Sequence, residues 1–305
     1  MKKFATAKGM NGARIEAVPI RMYDFEMVCG ASEGKEYPEE YEIPRTSTIK
    51  NQGDIGACVA CTCAEVAEAI FGKEMSEAFI YGKLRDEKDN FSGMYTTRTL
   101  DMWKSIGVVP LADFGVLKEM PEIKKLVDSF PDLSEVAKKY KIGGYAAINY
   151  ANESKRDLAV KEALTKDGIG LIAVSSSYFG TSHCIRLTGW NDKNKTYKFQ
   201  NSWGEEYGDG GYDEIPKSEV DFIYAVFTEE FKLPFTDVPE DKWSYKAIKN
   251  LYFAGLINGV TETLFEPERN ITREEVAVII DRLLKSLDEK IENIYKQINT
   301  VNNVL

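Results

Sequence analysis

The sequence has 305 residues, a formal net charge of -10 and a hydrophobic content of 43%. This length allows one to three domains, and the composition is that of a globular protein. The acidic balance argues against a nucleic-acid-binding protein, because a surface that follows phosphate groups needs clustered Lys and Arg. No apolar run approaches the roughly 20 residues that cross a bilayer, so we expect no membrane span.

The first 44 residues are weakly patterned and form a predicted N-terminal segment, residues 1–44, which ends in a Pro- and Glu-rich stretch. Between Ala5 and Val18, any apolar run is broken by Lys8, Asn11, Arg14 and Glu16. We therefore expect no Sec signal peptide. If the protein acts outside a cell, it needs another exit, such as lysis or packaging in a phage particle.

Helices are predicted in the next part of the chain. Alanine and isoleucine recur at helical spacing from Cys58 to Phe71, and Gly72 ends that pattern. The other predicted helices cover Glu77–Arg85, Thr97–Ile106 and the charged residues 116–140, the last with breaks at Pro121 and Pro131.

Strands are predicted after the helices. Three segments have strand-like β-branched character, namely Ile169–Ser175, Cys184–Trp190 and Thr196–Asn201. Helices followed by strands indicate an α+β domain with segregated layers.

Five cysteines are present, Cys29, Cys58, Cys61, Cys63 and Cys184, alongside a single histidine. An odd number with three cysteines packed into six residues does not resemble a disulfide framework. Zinc sites usually pair two such clusters or add histidines, so we predict no metal site and no cofactor. Except for Cys58, discussed next, the clustered cysteines and Cys184 are interpreted as small buried apolar residues.

Cys58 stands at the predicted first turn of a helix, where the positive end of the macrodipole favours a thiolate. Gln52, six residues earlier, is placed to donate its side-chain N–H to an oxyanion beside the backbone N–H of Cys58. A lone histidine is usually structural, but His183 is the one base available to this thiol. Asn201, on the next strand-like segment, is a candidate to orient its ring.

Four blocks of sequence, in order, resemble the papain family of cysteine peptidases. Gln52–Ala60 resembles the nucleophile motif QGxCGSCWAF, and His183–Trp190 resembles the histidine strand. Asn201–Tyr212 is close to NSWGxxWGxxGY, and Met75–Tyr81 resembles the LSxxxL helix start. The resemblance implies a two-lobe peptidase domain over residues 45–230, with a helical lobe, a β-rich lobe and a cleft between them.

The same resemblance implies a role for each motif residue. Cys58 attacks the scissile carbonyl as a thiolate paired with His183, which then protonates the leaving amine, and Asn201 orients His183. Gln52 and the Cys58 amide stabilise the oxyanion, and Trp203 shields the His–Asn pair from water.

The sequence also departs from the family pattern. Ile55 replaces the second motif cysteine, so the usual disulfide is missing, and Val59 replaces the aromatic residue after the nucleophile. About 45 residues precede the domain, too few for a long inhibitory propeptide; a short N-terminal plug stays open as an alternative.

Residues 234–283 resemble an S-layer homology (SLH) module, with the patterns FxDVxxxxW, AIxxLxxxGxxxG and FxPxxxxTRxExA. Thr272 with Glu275 predicts a capping box at a helix start. The resemblance implies binding of an acidic secondary cell-wall polysaccharide, with Trp243 and Arg273 as glycan contacts. The alternative is that Trp243 belongs to the core and Arg273 is an ordinary surface charge.

The last residues predict a coiled-coil oligomerisation helix over 277–305. Apolar residues alternate at spacings of three and four, at Leu284, Leu287, Ile291, Ile294, Ile298, Val301 and Leu305. Isoleucine at both seam positions leans toward a homotrimer, which would gather three single SLH modules. The alternative is one amphipathic helix that packs on its own module.

The sequence thus predicts a cysteine endopeptidase that hydrolyses protein or peptide substrates and is anchored to a bacterial cell wall. A trimeric surface or phage-virion adhesion protein with minor or vestigial peptidase activity is the alternative. Transpeptidase or amidase chemistry on peptidoglycan stem peptides uses the same triad and also stays open.

Overall fold

The structure, a computed structural model, describes residues 12–14, 22–30, 34–84, 93–116, 133–148, 150 and 152–302. The described chain has a helical lobe, a sheet lobe and a small C-terminal helical unit. The predicted α+β arrangement, with a helical lobe followed by an antiparallel-sheet lobe, is confirmed.

The helical lobe is built around one largely buried helix. Its described helices are α2 Cys58–Phe71, α3 Glu77–Leu84, α4 Thr96–Ser105, α5 Leu111–Phe114 and α6 Leu133–Ala137, with α1 Phe25–Cys29 lying earlier in the chain and a 3₁₀ turn, Lys138–Tyr140, following α6. Eleven residues of α2 are buried, so it is covered on all sides, as expected of a central core helix. The three predicted helices are confirmed as α2, α3 and α4, whereas most of residues 116–140 lies outside the described part.

The sheet lobe is an antiparallel sheet with the order β2-β7-β3-β4-β5-β6, and β1 pairs with β4 off this path. Its strands are β1 Glu40–Glu42, β2 Gly144–Ala147, β3 Ile169–Ser175, β4 His183–Asn191, β5 Thr196–Gln200, β6 Tyr212–Pro216 and β7 Phe222–Phe227, and a 3₁₀ turn, Lys217–Glu219, precedes β7. The three predicted strands are confirmed as β3, β4 and β5. The sequence reading missed the other four.

The two lobes meet where α2 packs on the sheet. Ile172 and Val174 of β3 and Cys184 of β4 belong to the same apolar core as α2. The opposite face of the sheet is covered by helix α7, Glu153–Leu164, which is capped by Asn152 at the Lys155 amide, 3.0 Å away. Because α2 starts with Cys58 and β4 starts with His183, this packing brings the two predicted site elements together.

The C-terminal unit has a small core and a long helix. Helix α8, Tyr245–Phe253, and the start of α9, Arg273–Asn302, enclose a cluster of Phe235, Val238, Ile248 and Ile257. The predicted capping box is confirmed, since Thr272 N donates to Glu275 Oε2 at 2.7 Å and Glu275 N donates to Thr272 Oγ1 at 3.1 Å.

Helix α9 is continuous from this unit into the predicted coiled-coil region. Among the seam positions, Leu284 and Ile291 are 54% and 48% exposed, while the side chains of the later seam residues lie outside the described set. Trp243 is 91% exposed, so the alternative that placed it in the core is wrong. Among the described helices, none combines the length and apolar character that a bilayer crossing requires.

Candidate active site

Cys58 lies at the first position of α2 and is fully buried. The sequence predicted this helix-start position, where backbone N–H groups point toward the sulfur. The backbone amides of Cys184, across the lobe boundary, and of Val59 lower the pKa of the Cys58 thiol, but burial outweighs them. Thr62 Oγ1 also donates to the Cys184 carbonyl at 3.1 Å, so the helix that carries Cys58 is tied to the strand that carries His183.

His183 and Asn201 form a buried hydrogen-bonded pair. His183 begins β4, Asn201 follows β5, and His183 Nε2 lies 2.7 Å from Asn201 Oδ1. The same oxygen accepts from Ser202 N at 2.8 Å. An amide oxygen only accepts, so Nε2 carries the ring proton and Nδ1 is left as the basic nitrogen.

Two aromatic side chains pack against the His183 ring. The Trp203 ring centroid is 4.7 Å from that of His183, with the planes tilted by 33°. Phe179 packs edge-on at 4.8 Å and also contacts Trp203 at 5.5 Å. The sequence reading missed Phe179, whose one signal was an aromatic residue in the loop just before the histidine.

Gln52 is buried beside Ser202, in the segment that follows β5. Its Nε2 donates to the Ile55 carbonyl at 2.8 Å, and its Oε1 accepts from Ser202 Oγ at 2.7 Å. Ser202 adjoins Asn201, so the two amide side chains predicted for the site are positioned by one short segment.

Burial sets the protonation of the thiol and the imidazole. Burial raises the pKa of Cys58 to about 11, and burial lowers the pKa of His183 to about 4, against the hydrogen bond to Asn201. Both groups are therefore uncharged at neutral pH in this conformation. The predicted thiolate–imidazolium pair needs a better solvated cleft than this one.

A short piece of the N-terminal segment lies over Cys58. Ala13 is buried in the same apolar core as Cys58, and its backbone amide lowers the pKa of the thiol, against the effect of burial. Gly12 lies against the Ser182 carbonyl so closely that an added Cβ would be 1.4 Å from its oxygen. Arg14 N donates to the Met94 carbonyl at 2.9 Å. Residues 12–14 thus cover the candidate nucleophile.

A second buried polar cluster links α2 to α3 and to the loop before the site. Lys50 Nζ lies 2.6 Å from Glu68 Oε1 and 3.4 Å from Glu77 Oε2, with all three side chains nearly solvent-free. Glu68 also accepts from Thr48 N at 2.7 Å and Met75 N at 2.9 Å. Because Lys50 comes two residues before Gln52, this cluster fixes the loop that leads to the site.

Two family matches coincide with this architecture. Residues 139–224 match the papain family of cysteine proteases, and residues 234–277 match the S-layer homology domain. The chain combines a papain-like cysteine protease domain with an SLH module.

Solved structures share the fold of the protease domain. Xylellain, a cysteine protease from Xylella fastidiosa, is 20% identical, with a TM-score of 0.56 over 74% of this chain and 97% of that chain. The cysteine protease and lectin-like domains of Cwp84, a surface layer associated protein of Clostridium difficile, give a TM-score of 0.51 at 16% identity, over 75% of this chain and 59% of that chain. The family match of residues 139–224 favours a peptidase over the alternative of an adhesion protein with minor or vestigial peptidase activity.

Curated relatives match a short part of the chain. Outer membrane protein alpha of Thermotoga maritima is 37% identical over 68 residues, which is 22% of this chain and 17% of that protein. Outer membrane protein SlpA of Thermus thermophilus is 34% identical over 58 residues, 19% of this chain and 6% of that protein. The chain therefore spans less than a fifth of the length of either relative. The SLH module and these outer-membrane relatives indicate association with a cell surface.

The remaining cysteines are consistent with their structural interpretation. Cys61, Cys63 and Cys184 are fully buried, and all five cysteines are free thiols. Within the described ranges, no group of three His, Cys, Asp or Glu side chains is arranged to hold a metal ion.

Proposed function

We propose that this chain is a cysteine endopeptidase with Cys58 as nucleophile, His183 as base and Asn201 as the residue that orients it, held at a bacterial cell wall by its SLH module. The observation that carries the proposal is the 2.7 Å contact between His183 Nε2 and Asn201 Oδ1, which leaves Nδ1 as the basic atom. That contact lies where β4 packs against the helix that begins with Cys58.

The chemistry follows from these atoms. Nδ1 of His183 takes the thiol proton as the Cys58 sulfur bonds to the scissile carbonyl carbon, and the carbonyl oxygen becomes an oxyanion. Collapse of the tetrahedral intermediate breaks the C–N bond, and the imidazolium returns its proton to the leaving amine. Water then attacks the thioester by the same route, which releases the carboxylic acid and restores the thiol.

The oxyanion needs two donors that are already in position. The Cys58 amide is one, because it lies at the open N-terminal end of α2. The Gln52 side chain is the other: one Nε2 hydrogen goes to the Ile55 carbonyl, and Ser202 holds the opposite end of the amide. This arrangement fixes the direction of the second Nε2 hydrogen.

Cleavage of a protein substrate is the direct test. The full chain is incubated under reducing conditions with a denatured protein, beside the variant Cys58→Ala, and products are mapped by mass spectrometry. We expect internal cleavage that Cys58→Ala lacks. Gly12→Ala is assayed in parallel because its Cβ cannot coexist with the Ser182 carbonyl. An intact substrate with both the wild type and Gly12→Ala would contradict the proposal.

The SLH module is proposed to bind an acidic wall polysaccharide. Trp243 presents nearly its whole indole to solvent, as suits stacking on a sugar ring, and Arg273 is exposed at the start of α9. Arginine pairs with a carboxylate through its planar fork, which matches an acidic sugar.

We further propose that α9 assembles the chain into a trimer. Most of the exposed large apolar side chains of the described chain belong to the module or to α9, among them Val276, Ile280, Leu284 and Ile291. An exposed apolar stripe on a helix of 30 residues favours burial against copies of itself. Isoleucine at both seam positions favours three strands.

Sedimentation equilibrium at micromolar concentration is expected to give a trimer for the wild type and a monomer for Leu284→Asp/Ile291→Asp. The two aspartates would bury unpaired carboxylates in the interface between the helices. This weakens the free energy of association by several kcal/mol. Lys285→Asp, one position off the seam, is the matched control and is expected to stay trimeric. A monomeric wild type would show that α9 acts alone.

A further inference from the structure

Two described parts of the N-terminal segment contact the candidate active site and the SLH module. We name residues 12–14 and 22–30 together the N-terminal strap. The first part lies against Cys58, and the second packs on helix α8 of the module. The two parts are close in the sequence, so a change at one can reach the other through the chain.

At the site end, the strap covers the thiol. Ala13 is buried in the same apolar core as Cys58, and its backbone amide lowers the pKa of the Cys58 thiol, which burial raises. The segment is fixed on both sides by the Gly12 contact with the Ser182 carbonyl and the bond from Arg14 N to the Met94 carbonyl.

At the module end, the strap is bonded to α8. Tyr23 Oη donates to Asn250 Oδ1 at 2.9 Å, and Asp24 N donates to the Phe253 carbonyl at 2.7 Å. The Tyr23 ring also packs on Phe253, with centroids 5.2 Å apart. These contacts involve the carbonyl of the last residue of α8 and side chains on one face of that helix. Movement of α8 therefore breaks them together.

The strap is at the same time held by the protease domain. Ala147 N of β2 donates to the Tyr23 carbonyl at 2.8 Å, and Tyr150 Oη donates to the Asp24 carboxylate at 3.0 Å. Tyr23 and Asp24 are thus clamped between β2 and α8. Loss of the α8 side leaves half of the clamp, which predicts partial rather than complete release.

We propose that the SLH module is an inhibitory clamp: contact of α8 with Tyr23 and Asp24 holds the strap over Cys58, and breaking that contact exposes the nucleophile. The proposal rests on the proposed function in one respect: release of the strap increases peptide hydrolysis only if the chain is a peptidase. Exposure of Cys58 is a physical property that can be measured whether or not the chain cleaves peptides.

The test measures how fast iodoacetamide modifies Cys58, quantified by peptide mass spectrometry on the full chain. Gly12→Ala displaces the strap directly, and we expect Cys58 to react at least about tenfold faster. Tyr23→Phe and Asn250→Ala each remove one hydrogen bond of the clamp, and we expect an increase of about three- to tenfold, the size of one intramolecular hydrogen bond. The double variant should equal either single variant, because both remove the same bond.

Two controls separate release from unfolding. Lys246→Ala changes an exposed residue of α8 and should react as the wild type does. Cys61 and Cys63 are fully buried in α2 and should stay unmodified in every variant that is folded.

The outcomes decide between the parts of the idea. Unchanged labelling in Gly12→Ala would show that the strap does not cover Cys58 in solution and overturns the proposal. Faster labelling in Gly12→Ala with wild-type rates in Tyr23→Phe and Asn250→Ala overturns the clamp. Faster labelling in all three without any hydrolysis supports the clamp and contradicts the endopeptidase proposal instead.

Discussion

Cys58→Ala is expected to abolish peptide hydrolysis, with kcat/KM at least about 10⁴-fold lower than in the wild type. The alanine removes the atom that forms the thioester, and none of the remaining site residues replaces it. The other cysteines on α2, Cys61 and Cys63, are fully buried in the apolar core. Rates are measured with an internally quenched peptide in the wild-type and Gly12→Ala backgrounds.

His183→Ala is expected to be as damaging, and the double variant no worse than either single variant, because the two groups act as one unit. Cys63→Ala is the matched control: it removes a thiol from the same helix and should keep activity, apart from a loss of stability. Hydrolysis that survives in Cys58→Ala would assign the activity to another group or to a contaminant.

The elements that carry the candidate site were predicted from the sequence because their signals are local. Helix α2 follows from small apolar residues at helical spacing up to a glycine, Gly72, which adopts the left-handed conformation at the helix end. Strands β3, β4 and β5 follow from β-branched runs. The packing of α2 on β4 then brings Cys58 and His183 to the lobe boundary, as the family resemblance implied.

The missed elements depend on partners that are distant in the sequence. Strand β1 lies in a Pro- and Glu-rich stretch with little strand propensity, and it forms by pairing with Gly189–Asn191 of β4. Ala13 carries no local signal either, since its contact with Cys58 depends on how the chain folds back over the cleft.

The protonation state of Cys58 also could not be predicted from its position in the sequence. The helix-start position of Cys58 favours a thiolate, as predicted, but burial beneath residues 12–14 outweighs the dipole and raises the pKa of the thiol to about 11. The sequence reveals that Cys58 lies at the start of a helix, and therefore near the positive end of its dipole. The burial of Cys58 depends on the tertiary fold, which the local sequence does not reveal. Opening the strap restores solvent, and the local argument then applies again.

Glu65→Gln is expected to stabilise the protein at alkaline pH. Glu65 lies in α2 with no exposed surface, and no side-chain donor reaches either carboxylate oxygen within the described part of the chain. Burial raises its pKa to about 8, and Arg186 on β4 opposes this shift by charge. The surrounding titratable groups are Lys50, Glu68, Cys61, Cys63, Cys184 and Tyr212.

The sign follows from the two states. The unfolded carboxyl loses its proton near pH 4.5, whereas the folded one keeps it to about pH 8. The folded state therefore binds more protons between these values, and the contribution of Glu65 to stability is complete below pH 4.5 and is lost as the pH rises toward 8. Glutamine keeps the shape without the ionisation, so the gain at pH 8 is a few kcal/mol, on the order of the shift converted at 1.4 kcal/mol per pH unit.

Glu68→Gln, three residues further along the same helix, is expected to do the opposite. Its carboxylate is paired with Lys50 at 2.6 Å and accepts from two backbone amides, so neutralising it leaves a buried ammonium with less compensation, at a cost of about 3 kcal/mol. Urea denaturation of both variants at pH 5 and pH 8 measures the effects. If Glu65→Gln and the wild type changed in parallel between these two pH values, Glu65 would be ionised in the folded protein, and its charge would be compensated by Arg186.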